Sequence, residues 1–252
     1  MGVQIAFDAQ FGASSGGVPN LQKHIESWGR HLADHGYIAI AVDSFNGRGD
    51  PQTQCGGQNI TDPYTVRVWD ARAAYAYLAN LGEVNPLRVG LLAWSQGAQS
   101  AMVEASTTVY NSTNLRAETE HLFEATAAFY PGCGAAMKFG NPGTSWWRPH
   151  RDFLLSVGYG DGFRTDCNSR VTRARDAYGA VAGTGRQASI AIYEGADHSF
   201  DYDGRTNLGM ADTSFPTSAQ YLQCLIATTQ TEACAMVRAD SATLTFFNGH
   251  LQ

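Results

Sequence analysis

Long apolar runs are missing from this 252-residue chain: no stretch approaches the roughly 18 residues needed to span a bilayer. A membrane partner is therefore not expected. Charge is scarce too, at 16% of residues, and there is no basic excess, since the formal net charge is -6. With a pI of about 5.6 the surface has little to attract a polyanion, which argues against nucleic acid as a partner. Cysteine is sparse: the five present include no C-x-x-C and no His/Cys cluster of zinc-like spacing, so neither a metal nor an organic cofactor is expected. Repeats, low-complexity tracts and linkers are lacking, which leads to one domain over 1–252. No signal-peptide pattern opens the chain. Met1-Gly2 runs straight into an apolar stretch, which reads as a start trimmed of a leader or a first strand.

What is there is a large apolar fraction, 44%, distributed in short blocks. Val3 to Phe7 reads as a strand followed by a Gly/Ser-rich loop. From about Pro19 to His35, Leu21, Ile25, Trp28 and Leu32 recur at helical spacing, with Gly36 as the stop. Tyr37 to Val42 has the look of a strand buried on both faces. Tyr64 to Leu81 is expected as a helix with Val66, Trp69, Ala73 and Tyr77 along one side. Further strands are expected at Val89–Leu92, Phe123–Tyr130, Phe153–Val157 and Ser189–Tyr193, with helices after Gly97, over 167–182 and over most of 218–251. Residues 44–62, 135–150 and 201–217 have no period and read as loops. Strands alternating with helices imply an α/β fold, with a mostly parallel sheet covered on both faces.

The informative stretch is Leu87-Arg-Val-Gly-Leu-Leu-Ala-Trp-Ser-Gln-Gly97. An apolar strand ends abruptly in a serine, small residues stand two before it and two after it, and a helical pattern follows. That is the layout of a nucleophile elbow, in which a strained turn lifts the serine above the sheet at a helix N-terminus. Ala93 stands where G-x-S-x-G has its first glycine, and is small enough for the role.

In parallel α/β sheets functional groups collect beyond the carboxyl ends of the strands. Ser95, Asp161 and His198 each follow a different strand, in the chain order serine, acid, histidine expected of an α/β-hydrolase triad. The residue types suit one chemistry. A serine hydroxyl is a poor nucleophile until an imidazole takes its proton, and the imidazole needs a carboxylate to fix its tautomer. Asp166 and Asp197 are alternative acids. Of the other histidines, His24, His31, His35 and His121 lie in polar helical contexts and read as solvated. Asp43 is given a local task, holding the Ser44 N–H or pairing with Arg48. Trp94, Tyr130, Phe163, Trp146 and Trp147 are candidates to wall a substrate pocket, with ordinary packing as the alternative. Cys224 and Cys234 are placed to clip a local loop, and Cys133 and Cys167 to meet above the sheet, leaving Cys55 over. Paired cysteines would fit a secreted or periplasmic protein and five free thiols a reducing cytosol; both stay open.

Four stretches together resemble the dienelactone hydrolase family, within the α/β-hydrolase fold. Asp43-Ser-Phe-Asn-Gly-Arg-Gly49 is similar to the family's D-S-F-x-x-R-G, and Leu91-Leu-Ala-Trp-Ser-Gln-Gly97 to its elbow. Gly158-Tyr-Gly-Asp161 is similar to its G-x-x-D acid turn, and Tyr193-Glu-Gly-Ala-Asp-His-Ser-Phe-Asp201 to its Y-x-G-A-x-H-x-F-D histidine turn. They run nearly the length of the chain, and 201–236 looks like an insertion. The name-giving members use a cysteine nucleophile; Ser95 shifts the expectation to a serine esterase, with a small-molecule or polymeric carboxylic ester as substrate. A peptidase or amidase on the same fold, and a binding protein that kept the fold without turnover, are the alternatives. Relatives usually carry His-Gly-x-Gly-Gly after the first strand, where this chain has Asp8-Ala-Gln-Phe-Gly12. The oxyanion donors are accordingly expected to be the N–H of Gln96 and that of Ala9 or Gln10, with the Asp8 charge nearby.

Overall fold

The structure, a computed structural model, describes residues 3–7, 11–12, 20–21, 23–45, 48, 61–106, 122–135, 137, 139–140, 147–179, 187–201, 218–226 and 231–252. Six strands form one parallel sheet: β1 (Val3–Phe7), β4 (Ile38–Val42), β5 (Val89–Trp94), β6 (Ala125–Phe129), β7 (Asp152–Gly158) and β8 (Ala188–Tyr193). Their spatial order is β4-β1-β5-β6-β7-β8. β1 stands next to the edge strand β4, and β5 to β8 follow in chain order on the other side of β1. Two short strands, β2 (Phe11–Gly12) and β3 (Asn20–Leu21), pair antiparallel apart from this sheet. Leu21, read from its spacing as part of the first helix, belongs to that pair.

The helices are α1 (Lys23–Asp34), α2 (Val66–Ala79), α3 (Ser95–Ala105), α4 (Arg164–Gly179), α5 (Ser218–Ile226) and α6 (Glu232–Leu251). β5 lies in the sheet interior, and its alternate residues feed two cores. Leu91 and Ala93 face α2, α3 and α4, packing with Val68, Ala71, Leu78, Ala98, Met102, Val171 and Ala174. Leu92 and Trp94 face α1 and α6, packing with Ile25, Trp28, Leu32, Phe129, Met236, Phe247 and Leu251. All six residues of β5 and all five of β6 are buried, as interior parallel strands require. β4 was expected to be buried on both faces. It lies instead at the end of the six-strand order and is only half-buried.

Local signals explain where α1 stops. Gly36 takes φ +83°, Gly36 N–H donates to Ala33 O, and Tyr37 N–H donates to Leu32 O, the paired bonds of a Schellman cap. The expected face of α2 is corrected. Trp69 and Tyr77 are 64% and 61% exposed, while Arg67, Val68, Ala71 and Leu78 point inward. Hydropathy favoured the aromatic side. The small Ala71 lets α2 approach the sheet, and Arg67 goes inside because it finds Phe45, its guanidinium 5.2 Å from the ring centroid, and the Gln96 side chain, 3.3 Å away. The C-terminal stretch is two helices, joined by a Cys224–Cys234 disulfide. Cys133 and Cys167 are also bonded, tying the exit of β6 to α4. Cys55 lies outside the described residues. Among the described residues no helix is long and apolar enough to cross a membrane.

Candidate active site

Three strand exits converge above the middle of the sheet. β5 ends at Trp94, and Ser95 opens α3 with φ +47°, a left-handed conformation that costs a serine about 1–3 kcal/mol. Ala93 and Gly97 are both buried, so the small flanking residues are where the tight turn needs them. β7 runs into Gly158-Tyr-Gly-Asp161, and β8 into the turn that carries His198.

Gly158 of the acid turn is required by contact with backbone, while Gly160 leaves room for a neighbouring side chain. A Cβ on Gly158 would stand 2.4 Å from Ala196 O and 2.5 Å from Asp197 O. A Cβ on Gly160 would fall 1.7 Å from Asp197 Oδ1. The absence of side chains there lets the histidine turn lie directly on the acid turn. Backbone bonds fasten the two: Tyr159 N–H donates to Tyr193 O at 2.8 Å and Gly160 N–H to Ala196 O at 2.9 Å. Gly195 and Ser199, both with positive φ, shape the turn on either side of His198.

A continuous chain of hydrogen bonds results. Ser95 Oγ lies 3.1 Å from His198 Nε2, and His198 Nδ1 lies 2.9 Å from Asp161 Oδ2. The carboxylate is buried, and its other oxygen accepts the Phe163 N–H at 2.8 Å, which fixes its plane. The His198 side chain is 40% exposed, so the site opens to solvent on the imidazole side. Asp161 is the acid that meets His198. Asp166 sits in the first turn of α4 near Gly134, and Asp197 turns its carboxylate onto Gly160.

The aromatic candidates separate. Trp147 is core: its Nε1–H donates to Met102 O at 3.0 Å, and its ring packs edge-on against Phe153 at 4.8 Å. Trp94 is buried on the α1 side, stacked on Phe129. Tyr130 is buried with its ring 4.8 Å from the His198 ring. Phe163 is 42% exposed and lies against Gly132 and Gly134. Trp146 lies outside the described residues, as do Asp8, Ala9 and Gln10. Gln96 follows Ser95 at the start of α3.

Two other readings change. Asp43 has a local task, but its Oδ1 accepts the Phe45 N–H at 2.9 Å. Arg48 forks onto Asp70 at 2.6 and 2.8 Å, a pair that raises its pKa. His24 and His31 are not solvated. His24 is buried edge-on to Trp94, and His31 Nε2 lies 2.9 Å from the buried Asp240. His35 is exposed as expected, and His121 is outside the described residues. Residue-type reasoning passed over Asp201. This fully buried carboxylate accepts from Trp28 Nε1 at 3.1 Å, from Trp94 Nε1 at 2.9 Å, and from the Tyr130 hydroxyl. Its only signal in the sequence was its place at the end of the histidine-turn motif. Among the described residues no group of three or more His, Cys, Asp or Glu is placed to hold a metal.

A parallel sheet with a serine elbow and an acid and a histidine on later strand exits defines an α/β hydrolase. The model of the dienelactone hydrolase family matches residues 13–251, and the chain belongs to that family. It is thus a hydrolase that acts on esters. Solved structures of similar shape include a candidate dienelactone hydrolase from Klebsiella pneumoniae. That protein is 16% identical, with a TM-score of 0.62, over 98% of this chain and 86% of the other. They also include esterase 2 of Thermogutta terrifontis. Its butyrate-bound form is 14% identical, with a TM-score of 0.56, over 98% and 84% of the two chains. Its native form is 15% identical, with a TM-score of 0.53, over 79% and 72%. At such identities the likeness speaks for the fold. Among curated proteins none matches the chain significantly.

Proposed function

We propose that the chain is a serine carboxylic-ester hydrolase in which Ser95 is the nucleophile, His198 the general base and acid, and Asp161 the residue that orients the imidazole. The observation carrying this reading is the unbroken hydrogen-bond path from Ser95 Oγ through both His198 nitrogens to Asp161 Oδ2. Its serine is held in a strained conformation, a cost that ordinary packing gives no reason to retain.

In the first half-reaction Ser95 Oγ attacks the ester carbonyl carbon as its proton passes to His198 Nε2. The carbonyl oxygen becomes an oxyanion, held by the Gln96 N–H at the start of α3, where free N–H groups and the helix dipole favour negative charge. The N–H of Ala9 or Gln10 is assigned as the second donor. Collapse breaks the bond to the leaving alcohol, which takes the proton from His198 and departs, leaving an acyl group on Ser95. Water then gives a proton to His198 and attacks the acyl carbon, and the returning proton releases Ser95 as the acid leaves. Asp161, carboxylate oxygen to Nδ1–H, favours the tautomer with a free Nε2 and stabilises the imidazolium formed in each half-reaction.

Labelling by a fluorophosphonate probe and turnover of nitrophenyl esters of graded acyl length test the assignment. Native protein should be labelled and Ser95→Ala should not, with ester turnover falling by at least about a thousandfold. A native protein that takes no label and hydrolyses none of the esters, indistinguishable from Ser95→Ala, would favour a binding protein that kept the fold.

A further inference from the structure

Asp201 stands apart from other buried acids in what it organises. It lies three residues beyond His198, is fully buried, and gathers donors from three elements: Trp28 of α1, Trp94 at the end of β5, and Tyr130 just past β6. Trp94 is the residue before Ser95. Tyr130 is more constrained still. Its backbone takes φ +38°, its N–H donates to Ser156 O at 2.8 Å, and its ring lies 4.8 Å from the His198 ring at 57°. The phenol is therefore fixed at both ends, backbone and hydroxyl, with its ring against the imidazole.

We propose that Tyr130, locked by Asp201, is a positioning residue for His198: it sets the ring's orientation and stabilises its protonated form. The inference rests on the proposed role of His198. Two physical effects run the same way. An aromatic ring attracts a cation placed beside it. A phenol donating to a carboxylate is polarised toward phenolate, so its ring becomes richer in electrons as the Asp201 charge is retained. Both favour imidazolium over imidazole. That is the state His198 passes through on proton transfer, so the gain falls on the transition state more than on the resting enzyme. Asp201 does not reach the reacting atoms and acts through Tyr130.

Other charges around the imidazole remain when this pair is altered. They are Asp161, bonded to Nδ1, and Asp197, next to His198 in the chain. A difference between variants therefore isolates the Tyr130–Asp201 pair.

The test follows His198 in the intact protein in two ways. One is the acid limb of the kcat/KM profile for a nitrophenyl ester. The other is a titration of the imidazole by NMR, assigned against His198→Asn and independent of turnover. Tyr130→Leu removes the ring, and the imidazole should titrate at lower pH by about half a unit, a roughly threefold loss of proton affinity. The plateau of kcat should fall about tenfold with KM little changed, as loss of an interaction made mainly in the transition state requires. Tyr130→Phe and Asp201→Asn keep a ring but remove its polarisation, so each should shift the titration the same way by less. A merely structural pair would lower the melting temperature and leave the titration where it was. Parental titration in Tyr130→Leu overturns the proposal. If that variant does not fold, parental titration in both Tyr130→Phe and Asp201→Asn overturns it. An imidazole that shifts as expected in a protein with no turnover would instead leave the pair standing and remove the esterase reading.

Discussion

Each face of the sheet holds a buried charge near the strand exits, Arg170 on one and Asp201 on the other, and the two are used differently. On the α4 side the fully buried Arg170 donates to Cys133 O at 2.6 Å, to Gly134 O at 2.9 Å and to Gly140 O at 2.6 Å. On the α1 side Asp201 accepts from two indoles and a phenol. Arg170 thus braces backbone, the exit of β6 that the Cys133–Cys167 disulfide also holds. Asp201 braces side chains, of which Trp94 precedes Ser95 and Tyr130 lies against the His198 ring. Burial pushes the Arg170 guanidinium down to about 10, which still leaves it charged at neutral pH. A charge spent on carbonyls fixes where a loop lies. A charge spent on aromatic side chains fixes what that loop presents.

The sharpest way to break this comparison is Arg170→Met. The apolar side chain fills much of the same space and leaves three carbonyls short of a donor. The expected loss is about 3–5 kcal/mol, the cost typical of removing one partner from a buried charged group's contacts, since the three lost bonds are partly offset by the guanidinium no longer being desolvated. For a chain of this size that is a fall of about 10 °C in melting temperature. The His198 titration should not move. If Arg170→Met shifts the titration as much as Tyr130→Leu does, the two faces are not separate and the division drawn between them is wrong.

Gly158→Ala probes the seam where the acid and histidine turns meet. A methyl group 2.4 Å from Ala196 O has no room, and the atom it meets is backbone that cannot swing aside. The turns must part, and the Asp161 to His198 bond lengthens with them. A displacement of about 1 Å at reacting groups costs about a hundredfold in turnover, and that is the loss expected in kcat for a nitrophenyl ester. Gly160→Ala should do less harm. The atom it meets is the end of the Asp197 side chain, which can rotate away. Equal losses from the two would mean that the seam is pliable and that the glycines serve only the turn conformation.

The legible parts were those in which chemistry and local geometry coincide in a few adjacent residues. An apolar strand, a serine between small neighbours and a helical pattern gave β5, the turn and α3. The Gly-x-Gly-Asp turn was legible because a close approach of two backbones demands glycine. What stayed hidden were polar groups whose partners are remote. Asp201 meets Trp28 173 positions away, and no window of sequence joins them. The α2 face was misread for a related cause: Arg67 is turned inward by Phe45 and Gln96, and Trp69 stays outside with Arg72 over its ring. His31 reads as solvated until α6 brings Asp240 beside it. Local spacing reports which side of a helix could be apolar. It does not report which polar groups a neighbouring element will satisfy.

The smallest effect expected lies deeper on the Asp201 side, at Tyr193. Burial pushes this phenol up to about 12, although the Ser156 hydroxyl offsets part of the rise. Below pH 10 both folded and unfolded chains hold the proton, so the group makes stability independent of pH there. Between about 10 and about 12 the unfolded chain has lost its proton while the folded one retains it. The unfolded state then binds fewer protons, and stability falls as pH rises. Tyr193→Phe removes that slope. At pH 7 the exchange should be neutral or slightly stabilising, within about 1 kcal/mol, because it removes a buried hydroxyl that makes no hydrogen bond among the described residues. At pH 11 the variant should unfold at a higher denaturant concentration than the parent. Parallel alkaline slopes for parent and Tyr193→Phe would mean that the phenol is more hydrated than its burial implies, and that the aromatic face is less dry than its packing around Asp201 requires.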